Sequence, residues 1–152
     1  EVASSYPEIE SDYAYVDALS MYLVQRPQSY DVMVAENMYG DIISDLAAGL
    51  VGGLGMAPSG DIGEDAAVFQ PSHGTAPDIA GRGLANPIAM VLSAALMLRW
   101  LGDRAGDGAA HEGAERIEAA VRAVVGAGGV GTPDLGGAMT SGELGARIVE
   151  AL

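Results

Sequence analysis

Short apolar runs of strand length alternate along this chain with longer stretches whose apolar residues recur at the helical period. Residues 12–16 and 31–35 are runs rich in β-branched, aromatic and other apolar residues, which is typical of strands. Residues 18–24 and 38–51 follow these runs and have helical spacing. Because strands that alternate with helices form sheets covered by helices, the pattern predicts an α/β architecture.

Three closely spaced glycines, Gly52, Gly53 and Gly55, follow the second predicted helix. Glycine often ends a helix because it adopts left-handed backbone conformations without steric cost. We therefore predict a domain boundary here, with one domain over residues 1–52 and another over residues 53–152.

The second half of the chain is predicted to contain a strand, a long loop and three helices. The strand covers residues 67–70, and the loop, which is rich in glycine and proline, ends near residue 86. An apolar core helix is predicted over residues 87–101. Two amphipathic helices are predicted over residues 112–125 and 141–152, with Ser141 as the N-cap of the last one.

Charge and composition exclude several classes of function. The net charge of −14 disfavours nucleic acid as a partner, since its phosphates would be repelled. The absence of cysteine excludes disulfides and thiolate chemistry and fits a cytoplasmic location. The longest apolar stretch is too short to span a membrane, and no secretory signal is visible. The missing initiator Met predicts that the 152 residues are a fragment.

Two aspartates, Asp41 and Asp45, lie one turn apart on the predicted helix over residues 38–51. Side chains at this spacing are about 5–6 Å apart, so both carboxylates can reach one Mg²⁺ or Mn²⁺ ion. By spacing alone a solvated acidic face is the commoner explanation. Apolar neighbours that we expect to bury the flanks of the pair favour the metal site: Ile42, Ile43, Leu46 and Leu50.

A third carboxylate, Asp17, lies at the start of the first predicted helix, where an aspartate commonly acts as N-cap. It becomes a metal ligand only if the fold, or a second subunit, brings it close to the aspartate pair. The sequence spacing leaves both roles open.

The loop from His73 to Asn86 has the composition of a ligand-binding loop. Its glycines permit close approach of the backbone to a ligand, and its polar residues include His73, Asp78 and Asn86. A carboxylate such as that of Asp78 accepts hydrogen bonds from ribose hydroxyls and repels a 2′-phosphate, which favours NAD over NADP. The glycine fingerprint of dinucleotide-binding βαβ units is absent, so an ordinary ordered loop fits the residues equally well.

Two motifs resemble the isocitrate/isopropylmalate dehydrogenase family of β-decarboxylating dehydrogenases. They are Asn37-Met-Tyr-Gly-Asp-Ile-Ile-Ser-Asp45 and His73-Gly-Thr-Ala-Pro-Asp-Ile-Ala-Gly-Arg-Gly-Leu-Ala-Asn-Pro87. The resemblance extends to Tyr15-Val-Asp-Ala18, to residues 92–98 and to Thr132-Pro-Asp-Leu-Gly-Gly137, so it covers nearly the whole chain.

The resemblance implies part of an isocitrate/isopropylmalate dehydrogenase-like fold. Residues 1–52 are then the end of the small, dimer-forming domain, and residues 53–152 are the second half of the large, cofactor-binding domain. In a homodimer, Asp41 and Asp45 of one subunit would bind Mg²⁺ or Mn²⁺ together with Asp17 of the other. The implied reaction is oxidation of a 2-hydroxy acid, such as 3-isopropylmalate, isocitrate or tartrate, by NAD, followed by decarboxylation.

The resemblance also implies which loop residues hold the adenosine half of NAD: His73, Gly74, Thr75, Ala76, Pro77, Asp78, Ile79 and Asn86. The chain departs from the family in two respects. It is much shorter than a typical member, and the catalytic Lys and Tyr of the family are expected upstream, so no catalytic residue is assigned here. Gln70 stands where many members have Glu. A non-catalytic nucleotide-binding or regulatory subunit and an inert truncated remnant are therefore the alternatives to an enzyme.

Overall fold

The computed structural model describes residues 2–152, which form two compact units. The first unit ends at Leu50 and the second runs from Val51 to Leu152. The dimer-forming and cofactor-binding roles expected of the two domains stay predictions. No helix in the described part of the chain is both long enough and apolar enough to cross a membrane.

The first unit is built on two packed helices, α1 (Val16–Gln25) and α2 (Asn37–Leu50). Single turns of 3-10 helix cover Val2–Ser5 and Pro27–Ser29. The buried apolar side chains of this unit are those of Leu23, Ile43 and Ala48. Both helices were predicted from their apolar period, and the structure confirms them.

The strands predicted over residues 12–16 and 31–35 are wrong. Val16 already belongs to α1, and the other residues of both runs lie outside any strand or helix. A strand requires backbone hydrogen bonds to a neighbouring strand, and residues 2–152 provide none for either run. Their apolar side chains are accordingly exposed, as in Tyr13 and Val34. An apolar run indicates which side chains a strand would bury, but it does not indicate whether a neighbouring strand is present to pair with it.

The second unit begins with an antiparallel hairpin of β1 (Pro58–Ile62) and β2 (Ala67–Pro71). β2 is the strand predicted over residues 67–70. β1 was not predicted, because proline, serine, glycine and aspartate are all poor strand formers. Gly60 lies opposite Phe69, and a Cβ at Gly60 would lie only 3.0 Å from the Phe69 ring. The glycine therefore leaves room for the ring across the strand.

Three helices complete the second unit: α3 (Ile88–Ala105), α4 (Gly108–Gly126) and α5 (Ser141–Glu150). Between them and before them lie 3-10 turns at Leu54–Met56, Pro77–Ile79 and Pro133–Leu135. One cluster of buried side chains joins the three helices: Ile88, Ala120, Val121, Leu144 and Ile148.

The hairpin packs against α3. The rings of Phe69 and Trp100 have centroids 5.9 Å apart and are tilted by 57°. The buried hydroxyl of Ser93 lies 2.8 Å from the carbonyl oxygen of Gln70 and equally far from that of Ala89. The strand that leads into the loop at His73 is thus fixed to the core helix.

Polar contacts join α3 to α4 at two points. Arg99 donates to Glu118 at 2.8 Å, and this hydrogen bond, followed by the negative charge of Glu118, raises the pKa of Arg99. His111 Nε2 lies 3.2 Å from Asp103 Oδ1, and its ring packs so closely on Gly102 that a Cβ there would lie 2.8 Å from His111 Cδ2. Both contacts stabilise the antiparallel helix pair.

The predicted ends of these helices need three corrections. α3 continues to Ala105 and ends at Gly106, whose φ of 64° is left-handed. α4 begins earlier than predicted because the Asp107 side chain accepts a hydrogen bond from Ala109 N at 2.9 Å. The N-cap of α5 is Thr140 rather than Ser141. Thr140 and Glu143 form a capping box, in which Thr140 N donates to Glu143 Oε2 at 2.8 Å.

Candidate functional site

A cleft of about 650 Å³ opens in the second unit, and the predicted nucleotide loop forms most of its wall. Leu54 and Gly55 contribute a second side, and Asp134 and Ser141 contribute a third. The loop residues on the lining are His73, Gly74, Thr75, Ala76, Ile79, Ala80, Gly81, Gly83, Leu84, Ala85 and Asn86. Segments that are far apart in the sequence therefore meet around one concave surface of ligand size.

The first half of the loop contains a strained residue. Ala76 has φ 42° and ψ 63°, and it is the one non-glycine residue with a positive φ among residues 2–152. This conformation costs an L-residue about 1–2 kcal/mol relative to the right-handed region. Pro77 follows and begins a 3-10 turn that ends at Ile79. Ala76 also lines the cleft, so this left-handed residue lies at the candidate binding surface.

The second half of the loop is anchored to α5 and α3. Ser141 N donates to the Gly83 carbonyl at 2.8 Å, and the Ser141 hydroxyl donates to the Ala85 carbonyl. This use of the hydroxyl explains why Ser141 does not cap α5. Asn86 Oδ1 accepts a hydrogen bond at 2.9 Å from Ile88 N, a free donor in the first turn of α3.

Asn86 also contacts a residue that the sequence reasoning did not assign to the site. Its Nδ2 donates to Asp134 Oδ2 at 3.0 Å, and only 7% of Asn86 is exposed. Gly55 packs against both residues, since a Cβ there would lie 2.9 Å from Asn86 Cβ and 3.0 Å from Asp134 Oδ2. The motif Thr132–Gly137 was noted for its resemblance, but nothing in its spacing indicated that Asp134 faces a loop 48 residues away.

The cleft is apolar for the most part. Of the described residues that line it, none is lysine or arginine, and the polar side chains belong to His73, Thr75, Asn86, Asp134 and Ser141. His73 Nδ1 donates to the Gly74 carbonyl at 2.8 Å, which leaves Nε2 as the ring nitrogen available to a ligand. An uncharged aromatic or sugar group fits this surface better than a cluster of phosphates.

The structure brings together six of the eight loop residues predicted to bind the cofactor. His73, Gly74, Thr75, Ala76, Ile79 and Asn86 line the cleft, and their role as cofactor ligands stays a prediction. Pro77 and Asp78 do not line it. Asp78 is exposed in the first turn of the short 3-10 segment between Ala76 and Ile79.

The aspartate pair lies on α2 as predicted. Asp41 and Asp45 are one turn apart, and both are exposed. Ile43 is buried beside them. The expectation that all the apolar neighbours bury the flanks is wrong, because Ile42 is 54% exposed and Leu50 is 42% exposed. The packing surface of α2 inside this unit is narrower than its apolar face, so Ile42 and Leu50 stay uncovered.

Asp17 is not the N-cap of α1, because Tyr15 occupies that position. Asp17 lies in the first turn, where its Oδ1 accepts a hydrogen bond from Ala18 N at 2.8 Å. Within residues 2–152, no three histidine, aspartate or glutamate side chains are grouped closely enough to hold a metal ion. A three-carboxylate set of Asp17, Asp41 and Asp45 is therefore not assembled by one chain.

Comparison with known proteins places these features in a family. The model of the isocitrate/isopropylmalate dehydrogenase family matches residues 1–149. An isocitrate/homoisocitrate dehydrogenase of Thermus thermophilus is 53% identical over the whole chain, which covers 43% of that protein. A 3-isopropylmalate/3-methylmalate dehydrogenase of Methanocaldococcus jannaschii is 47% identical over 99% of the chain, again covering 43% of the relative.

The solved structures agree with the sequence comparisons. The crystal structure of isocitrate dehydrogenase from Methylococcus capsulatus superposes with a TM-score of 0.89 and 47% identity. The match includes 99% of this chain and 43% of that one. The predicted fold class is thereby confirmed as an isocitrate/isopropylmalate dehydrogenase-like fold that is present in part. The chain belongs to the isocitrate/isopropylmalate dehydrogenase family.

Proposed function

We propose that the chain is part of an NAD- and metal-dependent dehydrogenase that oxidises a 2-hydroxy acid and then decarboxylates the product. Family membership supports the reaction type, since the relatives are named as dehydrogenases of isocitrate, homoisocitrate, 3-isopropylmalate and 3-methylmalate. These substrates share a hydroxyl carbon next to a carbon that bears a carboxylate. Hydride leaves the hydroxyl carbon for NAD⁺ and the hydroxyl proton is lost. The bond between the neighbouring carbon and its carboxylate then breaks, CO₂ departs, and the electron pair left behind forms an enolate that takes up a proton.

The exposed aspartate pair on α2 is the observation that carries the metal part of this proposal. Asp41 and Asp45 project from consecutive turns of one helix. Mg²⁺ is typically held by one or two carboxylates together with substrate oxygens and water, so two aspartates of one chain fit it. Asp17 from a second copy of the chain would add a third carboxylate in a homodimer. When bound, the metal polarises the oxygens of the substrate.

The chemistry of the cleft supports NAD as the cofactor. Its apolar lining suits an adenine ring. Asp78 belongs to the same loop but does not line the cleft, whereas Asp134 does, so a 2′-phosphate in the cleft would meet a carboxylate and, among the described lining residues, no lysine or arginine. These charges favour NAD over NADP. The acid and base of the reaction are assigned to residues outside this chain, which contains no lysine.

Mn²⁺ binding to the protein expressed from its complete reading frame, followed by electron paramagnetic resonance, tests the metal assignment. Asp41→Asn and Asp45→Asn are each expected to weaken Mn²⁺ binding by about tenfold or more, equivalent to about 1.4 kcal/mol. Asp12→Asn removes an exposed carboxylate of the same unit and serves as the matched control, with unchanged binding. Equal Mn²⁺ affinity in the wild type, both helix variants and the control would contradict the proposed metal site.

A further inference from the structure

We propose that Asp134 is a positioning residue, which holds the Asn86 side chain in place and so fixes one wall of the cleft. This inference rests on the proposed cofactor site. It also changes the role expected of Asn86, because its carboxamide acts as an internal clamp rather than as a direct ligand of the nucleotide.

The hydrogen bonds of Asn86 leave little of its carboxamide for a ligand. Oδ1 accepts from Ile88 N at 2.9 Å, whereas Nδ2 donates to Asp134 Oδ2 at 3.0 Å and lies 3.6 Å from Met56 Sδ. Both hydrogens of the amide nitrogen are therefore directed at partners inside the protein. The orientation of the amide follows from chemistry, since a backbone N–H requires an acceptor and a carboxylate requires a donor.

Asp134 is suited to act as the fixed partner. It lies in the 3-10 turn Pro133–Leu135, where Leu135 N donates to the Thr132 carbonyl and Gly136 N to the Pro133 carbonyl, each at 3.0 Å. Its negative charge strengthens the hydrogen bond that it accepts from Asn86. Asp134 is itself exposed, so one oxygen clamps Asn86 while the carboxylate stays in contact with the open cleft.

Gly55 makes the contact between Asn86 and Asp134 tight. The space that a Cβ would need at Gly55 is already occupied by Asn86 Cβ and Asp134 Oδ2, 2.9 and 3.0 Å away. Three segments, around residues 55, 86 and 134, thus pack closely together. If the acceptor at Asp134 is lost, a nearly buried N–H of Asn86 has no strong partner. We then expect the carboxamide to rotate away from Ile88 N.

The test combines NAD⁺ titrations of the protein expressed from its complete reading frame, followed by calorimetry, with thermal unfolding of the same variants. Asp134→Ala removes the acceptor and is expected to weaken NAD⁺ binding about tenfold. Asp134→Asn keeps a carbonyl acceptor and is expected to bind nearly as well as the wild type. Asn86→Asp places two carboxylates in contact and is expected to weaken binding at least as much as Asp134→Ala.

The double variant Asn86→Asp/Asp134→Asn provides the rescue. The new carboxylate at position 86 accepts from Ile88 N and from the new amide at position 134, so the pair is restored with donor and acceptor exchanged. NAD⁺ affinity is expected to return to within about threefold of the wild type. Val121→Ala, which removes buried methyl groups from the core of α4 away from the cleft lining, is the matched control. It is expected to lower the unfolding temperature without changing NAD⁺ affinity.

Three results would overturn the proposal, and they differ in whether the proposed cofactor site is overturned as well. If the wild type binds NAD⁺ and Asp134→Ala binds it equally well, Asp134 is not a positioning residue and the proposed cofactor site stands. The same conclusion follows if the double variant binds no better than Asn86→Asp alone. If the wild type shows no binding of NAD⁺, the proposed cofactor site is wrong, and the positioning role is lost with it.

Discussion

Thr132 provides the sharpest test of the packing described for the second unit. Its side chain is fully buried, with 0% exposed, and its hydroxyl oxygen has no hydrogen-bond partner among the described residues. The backbone carbonyl of the same residue is well used, since it accepts from Leu135 N at 3.0 Å and from Gly137 N at 3.1 Å. The unpaired hydroxyl therefore destabilises a turn whose backbone is otherwise hydrogen-bonded.

Thr132→Val replaces that hydroxyl with a methyl group of similar size. Burial of an unsatisfied polar group costs about 1–3 kcal/mol, so we expect the variant to raise the free energy of unfolding by about 1–2 kcal/mol. The extended backbone at this position, with φ −75° and ψ 168°, suits a β-branched residue. Thr132→Ser makes the opposite change. It keeps the hydroxyl, removes a buried methyl and is expected to destabilise by about 1 kcal/mol.

Urea unfolding of both variants, followed by circular dichroism and tryptophan fluorescence, measures these differences. Trp100 belongs to the second unit, so its fluorescence reports unfolding of the unit that contains Thr132. The two substitutions are predicted to change the free energy of unfolding in opposite directions. A destabilised Thr132→Val variant would show instead that the hydroxyl has a partner, such as a buried water.

Further expectations follow from the capping box of α5 and from two glycines. Hydrogen bonds from Thr140 N and, second, from the Thr140 hydroxyl lower the pKa of Glu143. Their stabilising effect is therefore fully present above the ordinary pKa of glutamate, and it is lost as the pH falls through the lowered pKa. Glu143→Gln keeps the capping geometry and should flatten this dependence in thermal unfolding between pH 7 and pH 3. Gly55→Ala forces a Cβ against Asn86 and should destabilise by about 1–3 kcal/mol. Gly49→Ala places a Cβ in open space on α2 and should stabilise that helix by up to about 1 kcal/mol. If both glycine variants changed the free energy of unfolding in the same direction, the packing described at Gly55 and Gly49 would be contradicted.

The helices were largely predictable because their signals are local. The apolar period and the glycines that follow fixed the extent of α2 to within one residue at each end, and α3 begins directly after Pro87. The capping box was not predicted, although Glu143 stands three positions after Thr140 as the motif requires. Ser141 was an equally good cap by residue type, but its hydroxyl is used by the Ala85 carbonyl, a contact that the sequence does not reveal.

Features that depend on distant residues were not predictable. The runs at residues 12–16 and 31–35 have the side chains of strands but no pairing partner among the described residues. The hairpin strand β1 has the opposite character, since its residues are poor strand formers and its pairing with β2 creates the strand. Asp134 was missed for the same reason, because it meets Asn86 only after three segments fold together.

The proposed enzyme, of which this chain is a part, couples oxidation of a 2-hydroxy acid to its decarboxylation. The most direct measurement is the ratio of NADH to CO₂ formed by the protein expressed from its complete reading frame. Isocitrate, homoisocitrate, 3-isopropylmalate and 3-methylmalate are the substrates to compare, with Mg²⁺ or Mn²⁺ present or chelated. We predict that at least one of them yields NADH and CO₂ in equal amounts, and only with the metal present. Reduction of NAD⁺ without release of CO₂, equal turnover after chelation, or no turnover of any of the four acids would contradict the account.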